Sequence, residues 1–294
     1  ILCIRPGGGM NIDFPYKIKK KEQAMKTISF ATMKGGTGKT TLSFNIACCL
    51  AQNKKVLVMD CDPQCNISAN LRFDIFNEEA ITVADLFENP NIDPLDILVA
   101  SPLENLKNLD LFPSTMYLLG TELRLSTKPM REMVLSNYIK ANAQVFGYYD
   151  YIIFDTAPNM GIVNQNAFFA SDSIILCVDP DCNSAKGAQV FLKLWDEAVT
   201  YADKTDNTCG LIINNVERTK ITKSLKEYID SEPRLSAMQF KNTIPHTTRF
   251  KECAEQNVPI FDLETKTKKD ELSKKRAVDA LNNLVSEMEE RGVL

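Results

Sequence analysis

The stretch Ala31–Thr41, ATMKGGTGKTT, constrains the fold of this chain more than any other. It follows a short apolar run, TISFAT, and precedes a helical pattern with Leu42, Ile46 and Leu50 on one face. A buried strand turning at once into a helix through paired glycines is a phosphate-loop arrangement. Gly35, Gly36 and Gly38 let the backbone turn tightly and aim N–H groups at one point, where the helix N-terminus adds its partial positive charge. The pattern G-x-x-x-x-G-K-[ST] is filled at its last three positions by Gly38, Lys39 and Thr40. Met33 stands where its first glycine belongs, and an extra lysine, Lys34, precedes the glycine pair.

The rest of the chain repeats the strand–helix alternation. KVLVMD (55–60), LDLFPS (109–114), YIIFD (151–155), SIILCVD (173–179) and CGLIINNV (209–216) read as short buried strands. Helical stretches lie between them: one ends near Phe146, one holds Trp195, and a charged one runs over roughly 268–291. The expectation is an α/β fold: a doubly wound, mostly parallel sheet with helices on both faces. Residues 1–24, with three glycines and the basic run KIKKKE, read as a flexible arm, and 25–294 as one nucleotide-binding domain.

In such a sheet ligands bind beyond the carboxyl ends of the strands. Three carboxylates fall there: Asp60 and Asp62 after the second strand, and Asp155 closing YIIFD. An apolar strand ending in Asp is the Walker B form, whose carboxylate serves Mg²⁺. Lys39 then reaches the β- and γ-phosphates, and the Thr40 hydroxyl ligates the metal. An acid that faces the γ-phosphate orients water for in-line attack. The nine cysteines include no C-x-x-C pair, and the lone histidine is His246, so reduced thiols rather than a zinc site are expected.

KGGTGKTT (34–41), DCDPQ (60–64) followed by Asn66, FDTAP (154–158) with Asn166 in the next helix, and TIPHTTRFKECAEQNVPI (243–260) occur in this order. Together they resemble the ParA/MinD superfamily of deviant Walker ATPases, nearest its ParA/Soj partition branch. The resemblance implies ATP and Mg²⁺ as ligands, with the loop Lys34, Gly35, Gly36, Thr37, Gly38, Lys39, Thr40 and Thr41 around the phosphates. It makes Lys34 the signature lysine that crosses a homodimer to the partner's nucleotide, which accounts for the second cation. It gives Asp62 the attacking water, Asp60, Asp155 and Thr40 the metal, and Asn214 or Asn215, with the Pro245 loop, the adenine.

Net charge is −4, so bulk attraction to nucleic acid is not expected, and any such binding must come from a local patch. Between Arg218 and Lys251 there are eight Lys/Arg and three Asp/Glu. Charge placement makes Arg218, Lys220, Lys223, Arg249 and Lys251 the candidates, and the resemblance implies sequence-independent binding of double-stranded DNA at Arg218 and Arg249. It also implies a ParB-like centromere-binding partner, a cytoplasmic, nucleoid-associated protein and weak ATPase activity. A MinD-like membrane switch is the alternative. The chain ends NNLVSEMEERGVL, acidic and thinly apolar, which disfavours a membrane-surface helix. An iron–sulfur reductase of the nitrogenase iron-protein kind is disfavoured by the absence of cysteine from 66 to 176. The arm is too short for a helix-turn-helix, so no repressor role is expected.

Overall fold

The computed structural model describes residues 24–294. The expected arm, with its basic run at 17–21, lies outside the described residues except for residue 24. The chain runs β1 (Lys26–Ala31), α1 (Lys39–Ala51), β2 (Val56–Cys61), α2 (Asn66–Asn70), α3 (Val83–Glu88), α4 (Pro94–Ile97), β3 (Val99–Ala100) and β4 (Leu109–Phe112). It continues α5 (Leu118–Leu125), a 3₁₀ turn at Arg131–Met133, α6 (Val134–Ala141), α7 (Ala143–Phe146), β5 (Tyr151–Thr156), α8 (Ile162–Phe169) and β6 (Ser173–Val178). The last elements are α9 (Cys182–Tyr201), β7 (Thr208–Ile213), α10 (Lys220–Ser231), α11 (Pro233–Met238), α12 (Arg249–Gln256) and α13 (Lys268–Glu290).

The strands form one sheet in the order β3-β4-β2-β5-β1-β6-β7. All neighbours are parallel except β3 against β4. The two-residue edge strand β3 carries too little pattern to be read from sequence, and it is an addition to the expected series. The expected long helix before Phe146 is instead four short pieces, because Ser126–Met130 breaks it and Met130 takes a left-handed φ of 51°.

Period-two alternation sorts the strand side chains onto two faces. Ile28, Phe30, Val56, Val58, Ile153 and Ile175 pack against α1 and α13. Leu57, Met59, Ile152 and Phe154 pack against α3, α5, α6 and α8, and Ile174, Leu176, Leu211 and Ile213 against α9 and α10. Helix α1 departs from the expected one-sided face: Leu42, Phe44, Ile46, Ala47, Cys48 and Leu50 are all buried, because α13 covers the side that a surface helix would give to water.

This order places the site. β1 lies between β5 and β6, so the loop leaving β1 emerges between the loops leaving those two strands. In the register Phe30 and Asp60 both sit opposite Asp155. Gly210 in β7 has no room for a side chain: a Cβ there would lie 2.4 Å from the Phe240 ring. Gly210→Ala is expected to cost about 1–3 kcal/mol through overpacking, read as a lowered Tm.

Candidate active site

The loop between β1 and α1 is held from three sides. Gly36 and Gly38 have φ of 81° and 80°, left-handed values that suit glycine. At Gly38 a Cβ would lie 2.2 Å from Asn214 Nδ2, so the end of β7 presses directly on the loop. The same Asn214 amide donates to the Thr37 carbonyl at 2.7 Å. Asn214, expected at the adenine, is thus engaged in fixing the loop, while the half-buried Pro245 lies beside Val216 at the end of β7.

Asp155 is the anchor of the site. It is fully buried, and its carboxylate accepts from Lys39 Nζ at 2.7 Å, Thr40 Oγ1 at 2.8 Å and Ser43 Oγ at 2.9 Å. One acid at the end of β5 thereby orients the first turn of α1. Ser43 is a residue that motif reading missed; it lies one helical turn beyond Lys39, and that i+4 spacing is the signal that could have found it.

Asp60 and Asp62 are placed differently although they are two residues apart. Asp60 is fully buried and accepts from Ser68 Oγ at 2.6 Å, Ser68 N at 3.1 Å and Asp62 N at 3.0 Å. Burial, reinforced by the neighbouring Asp155, pushes its carboxyl up to about 7. The Asp62 carboxylate accepts from Gln64 N at 2.8 Å and lines the cleft in front of the loop. Burial also raises its pKa. So Asp62 faces the cleft, and Asp60 lies behind it, joining β2 to α2.

Lys34 sits on the rim, half-buried. Its ammonium contacts Asp179 at 3.0 Å and Asp181 at 2.8 Å, both in the loop leaving β6. Burial lowers its pKa, but the hydrogen bonds to Asp181 and Asp179 outweigh this and the net shift is upward. Motif reading missed these two acids as well; the signal is present in SIILCVDPD, an apolar strand running into acids, as at Asp60 and Asp155.

The resulting cleft, of about 330 Å³, is lined by Thr32, the loop from Lys34 to Thr41, Asp62, Gln64, Asn66 and Pro158. Its donor chemistry suits a phosphorylated ligand. Helix α1 has no side-chain N-cap. Thr37 Oγ1 is buried without a hydrogen-bond partner among the described residues. Space opens around the Cα of Gly35 and Gly36.

The basic candidates lie elsewhere, on one connected surface. Val216 pairs with Pro245, and Thr247 Oγ1 meets Ser273 Oγ at 2.9 Å, so the starts of α10, α12 and α13 adjoin. Arg218, Lys220, Lys223 and Lys251 are exposed. Arg249 is not free to reach outward: its side chain is 16 % exposed and paired with Glu252 and with Asp270 at 3.5 Å. The eight described cysteines are free thiols, most of them buried. No helix among the described residues is long and apolar enough to cross a membrane.

Removing Asp155 leaves the buried Lys39 ammonium without its anion. Asp155→Ala is therefore expected to destabilise the nucleotide-free protein by about 3–5 kcal/mol, read by thermal or urea unfolding. A loss below about 1 kcal/mol would show that the pair does not hold the loop.

Comparison with known proteins agrees with this geometry. The family described as "AAA domain" matches residues 25–208. The chain is 31 % identical over 247 residues to the sporulation initiation inhibitor protein Soj of Bacillus subtilis, covering 80 % of this chain and 90 % of Soj. It is 33 % identical over 219 residues to the virulence plasmid ParA family protein pGP5-D of Chlamydia psittaci, covering 68 % and 80 % of the two chains. The solved ATP complex of a Cyanothece McdA variant superposes with a TM-score of 0.77 at 22 % identity, over 90 % of this chain and 97 % of McdA, and shares the fold. The matched sequence, and a phosphate loop built on one buried aspartate with a second lysine at its rim, place the chain in the ParA/Soj family of deviant Walker P-loop ATPases.

Proposed function

We propose that the protein is an ATP-dependent dimerising switch that binds duplex DNA without sequence preference and drives plasmid or chromosome segregation. It hydrolyses Mg–ATP weakly until a centromere-binding, ParB-like partner accelerates it. The single observation that carries this reading is the unequal engagement of two lysines at one loop. Lys39 is buried on Asp155, whereas Lys34 rests on two acids at the rim.

The loop from Gly35 to Thr41 receives the ATP phosphates through its backbone N–H groups, with Lys39 as the cation supplied by the same subunit. Thr40 and Asp155, already in contact, are the residues that would hold Mg²⁺, with Asp60, opposite Asp155 in the sheet, as a further carboxylate of the metal site. When bound, Mg²⁺ supplies positive charge to the β- and γ-phosphate oxygens. Asp62 orients the attacking water; burial raises its pKa and makes it a stronger proton acceptor than an exposed carboxylate. Lys34 exchanges its aspartates for the phosphates bound to the partner subunit and adds charge there in the transition state. Asn214 keeps the loop seated on β7.

DNA is met by Arg218, Lys220, Lys223 and Lys251, with Arg249 tying α12 to α13 beneath them. One copy carries few of these cations, and a dimer doubles them on one duplex. The membrane reading loses support because Leu281, Leu284, Val285 and Met288 of α13 are buried in the core.

Asp62→Ala is expected to bind ATP and persist as a dimer, because the phosphate cradle is intact and the water is not oriented. Normal turnover in this variant, with a stall in Asp60→Ala instead, would reverse the two roles; sedimentation with a phosphate-release assay reads both. Asp179→Asn with Asp181→Asn frees Lys34 and should strengthen the ATP-dependent dimer severalfold. An unchanged or weaker dimer would mean that these acids only position Lys34. DNA binding should appear with ATP and not ADP, and its log–log salt slope should be about −0.9 per phosphate neutralised. Arg218→Glu and Lys251→Glu should weaken binding to all sequences alike and flatten that slope. Equal DNA affinity in ADP and ATP would count against the switch.

A further inference from the structure

Helix α5 is apolar on two sides. Leu118, Thr121 and Leu125 form the buried side, which packs against α3 and α8. Met116, in the turn leading into the helix, and Leu119 and Leu123 on it form a second stripe at the same i, i+3, i+7 spacing, and it faces water: Leu123 is 73 % exposed. The Tyr117 side chain lies beside Glu78, which brings the 74–80 loop alongside, and with it Phe76, 79 % exposed. Hydrogen bonds and an ion pair from Thr121 and Arg124 to Glu88 hold α5 on α3, so the stripe is presented by a fixed element.

The patch adjoins the nucleotide cleft. A Cβ added at Gly161 would lie 2.0 Å from Glu122 Oε1, so α5 abuts the loop leaving β5, whose Pro158 lines that cleft. Monomeric proteins rarely expose contiguous apolar patches beyond a few hundred Å². At roughly 150–250 Å² per large side chain, these residues together expose on the order of 500 Å². A stable interface needs about 800 Å² per partner, so the patch is part of a larger contact that includes the neighbouring cleft face. Its charged surroundings are of both signs, with Glu78, Glu79 and Glu122 against Arg124, Lys128 and Arg131. A self-complementary surface uses both signs; an anionic lipid surface would call for an excess of basic residues.

We infer that the Met116–Leu119–Leu123 stripe of α5, with Phe76, is the apolar part of the contact between two copies of this chain in the nucleotide-bound dimer. The inference rests on the ATP-dependent dimer proposed above. The test compares wild type with Leu119→Gln/Leu123→Gln by sedimentation in ATP and ADP. Amide exchange of residues 116–125 is followed in the same wild-type samples. Wild type should dimerise in ATP and gain protection over 116–125 there but not in ADP. The double variant should bind a fluorescent ATP analogue and melt like wild type, since both side chains are exposed, yet dimerise at least about 10-fold more weakly. A wild type that stays monomeric in ATP would overturn the dimer reading itself. A wild-type dimer without protection of 116–125, or a variant that dimerises equally well, would overturn this inference alone. So would protection that appears only with phosphatidylglycerol vesicles.

Discussion

A single buried carboxylate organises this molecule's site. Asp155 closes β5, takes three side-chain donors from the first two turns of α1, and lies beside Asp60 of β2 in the sheet register. Without that anion the lysine of the phosphate loop would be an unpaired buried cation, and the first turn of α1 would lose its hold on β5, leaving the Asn214 bond to Thr37 to fix the loop. The cost of the arrangement appears at Asp60, whose carboxyl is pushed up by burial and by Asp155. Ser68 and the Asp62 amide offset part of that cost, and in doing so they tie the β2 loop and α2 to the sheet. The position of Asp62 at the cleft follows from the same contacts.

The parallel sheet is legible in the sequence because each of its main strands is a short apolar run, which parallel strands covered on both faces require. The antiparallel edge Val99–Ala100 is not, since two residues carry no periodicity. Helix α1 shows its Leu42–Ile46–Leu50 stripe, but its other side is buried by α13, a tertiary fact that local pattern does not contain. Motif and topology suffice to name the loop residues and the three strand-end acids. They do not reveal the division of labour among them. Two aspartates at i and i+2 of an extended segment share a face, yet the chain leaves β2 at Cys61, so Asp60 remains in the sheet environment and Asp62 enters the loop. Asn214 reads toward a base and is found on the loop carbonyl, because the strand that carries it ends against Gly38.

The basic surface shows the same limit. A count of charges between Arg218 and Lys251 treats every arginine alike. Glu252, one turn further along the same helix, and Asp270, from the first turn of α13, turn Arg249 into a joint between two helices. The distant acid, Asp270, completes this hold on Arg249, and its proximity becomes visible only once Thr247 and Ser273 are seen to touch.

The two lysines of the loop differ in what it costs to move them, and this difference supports the roles proposed for them. Breaking a buried pair such as Lys39–Asp155 costs about 3–5 kcal/mol, because it strands a charge away from water. Lys39 is therefore a fixed element, and in the proposed switch it receives phosphate without leaving its place. Lys34 is about a third exposed, and its contacts with Asp179 and Asp181 are rim pairs of a kind worth about 0–1 kcal/mol each. Water and salt compete with them, so the ammonium can be drawn away by a stronger anion at little cost. In the proposed dimer, a triphosphate on the opposing subunit is such an anion. A lysine that serves two subunits in turn, as proposed for Lys34, needs a resting partner that neutralises it without holding it, and two partly exposed carboxylates just beyond β6 meet that requirement.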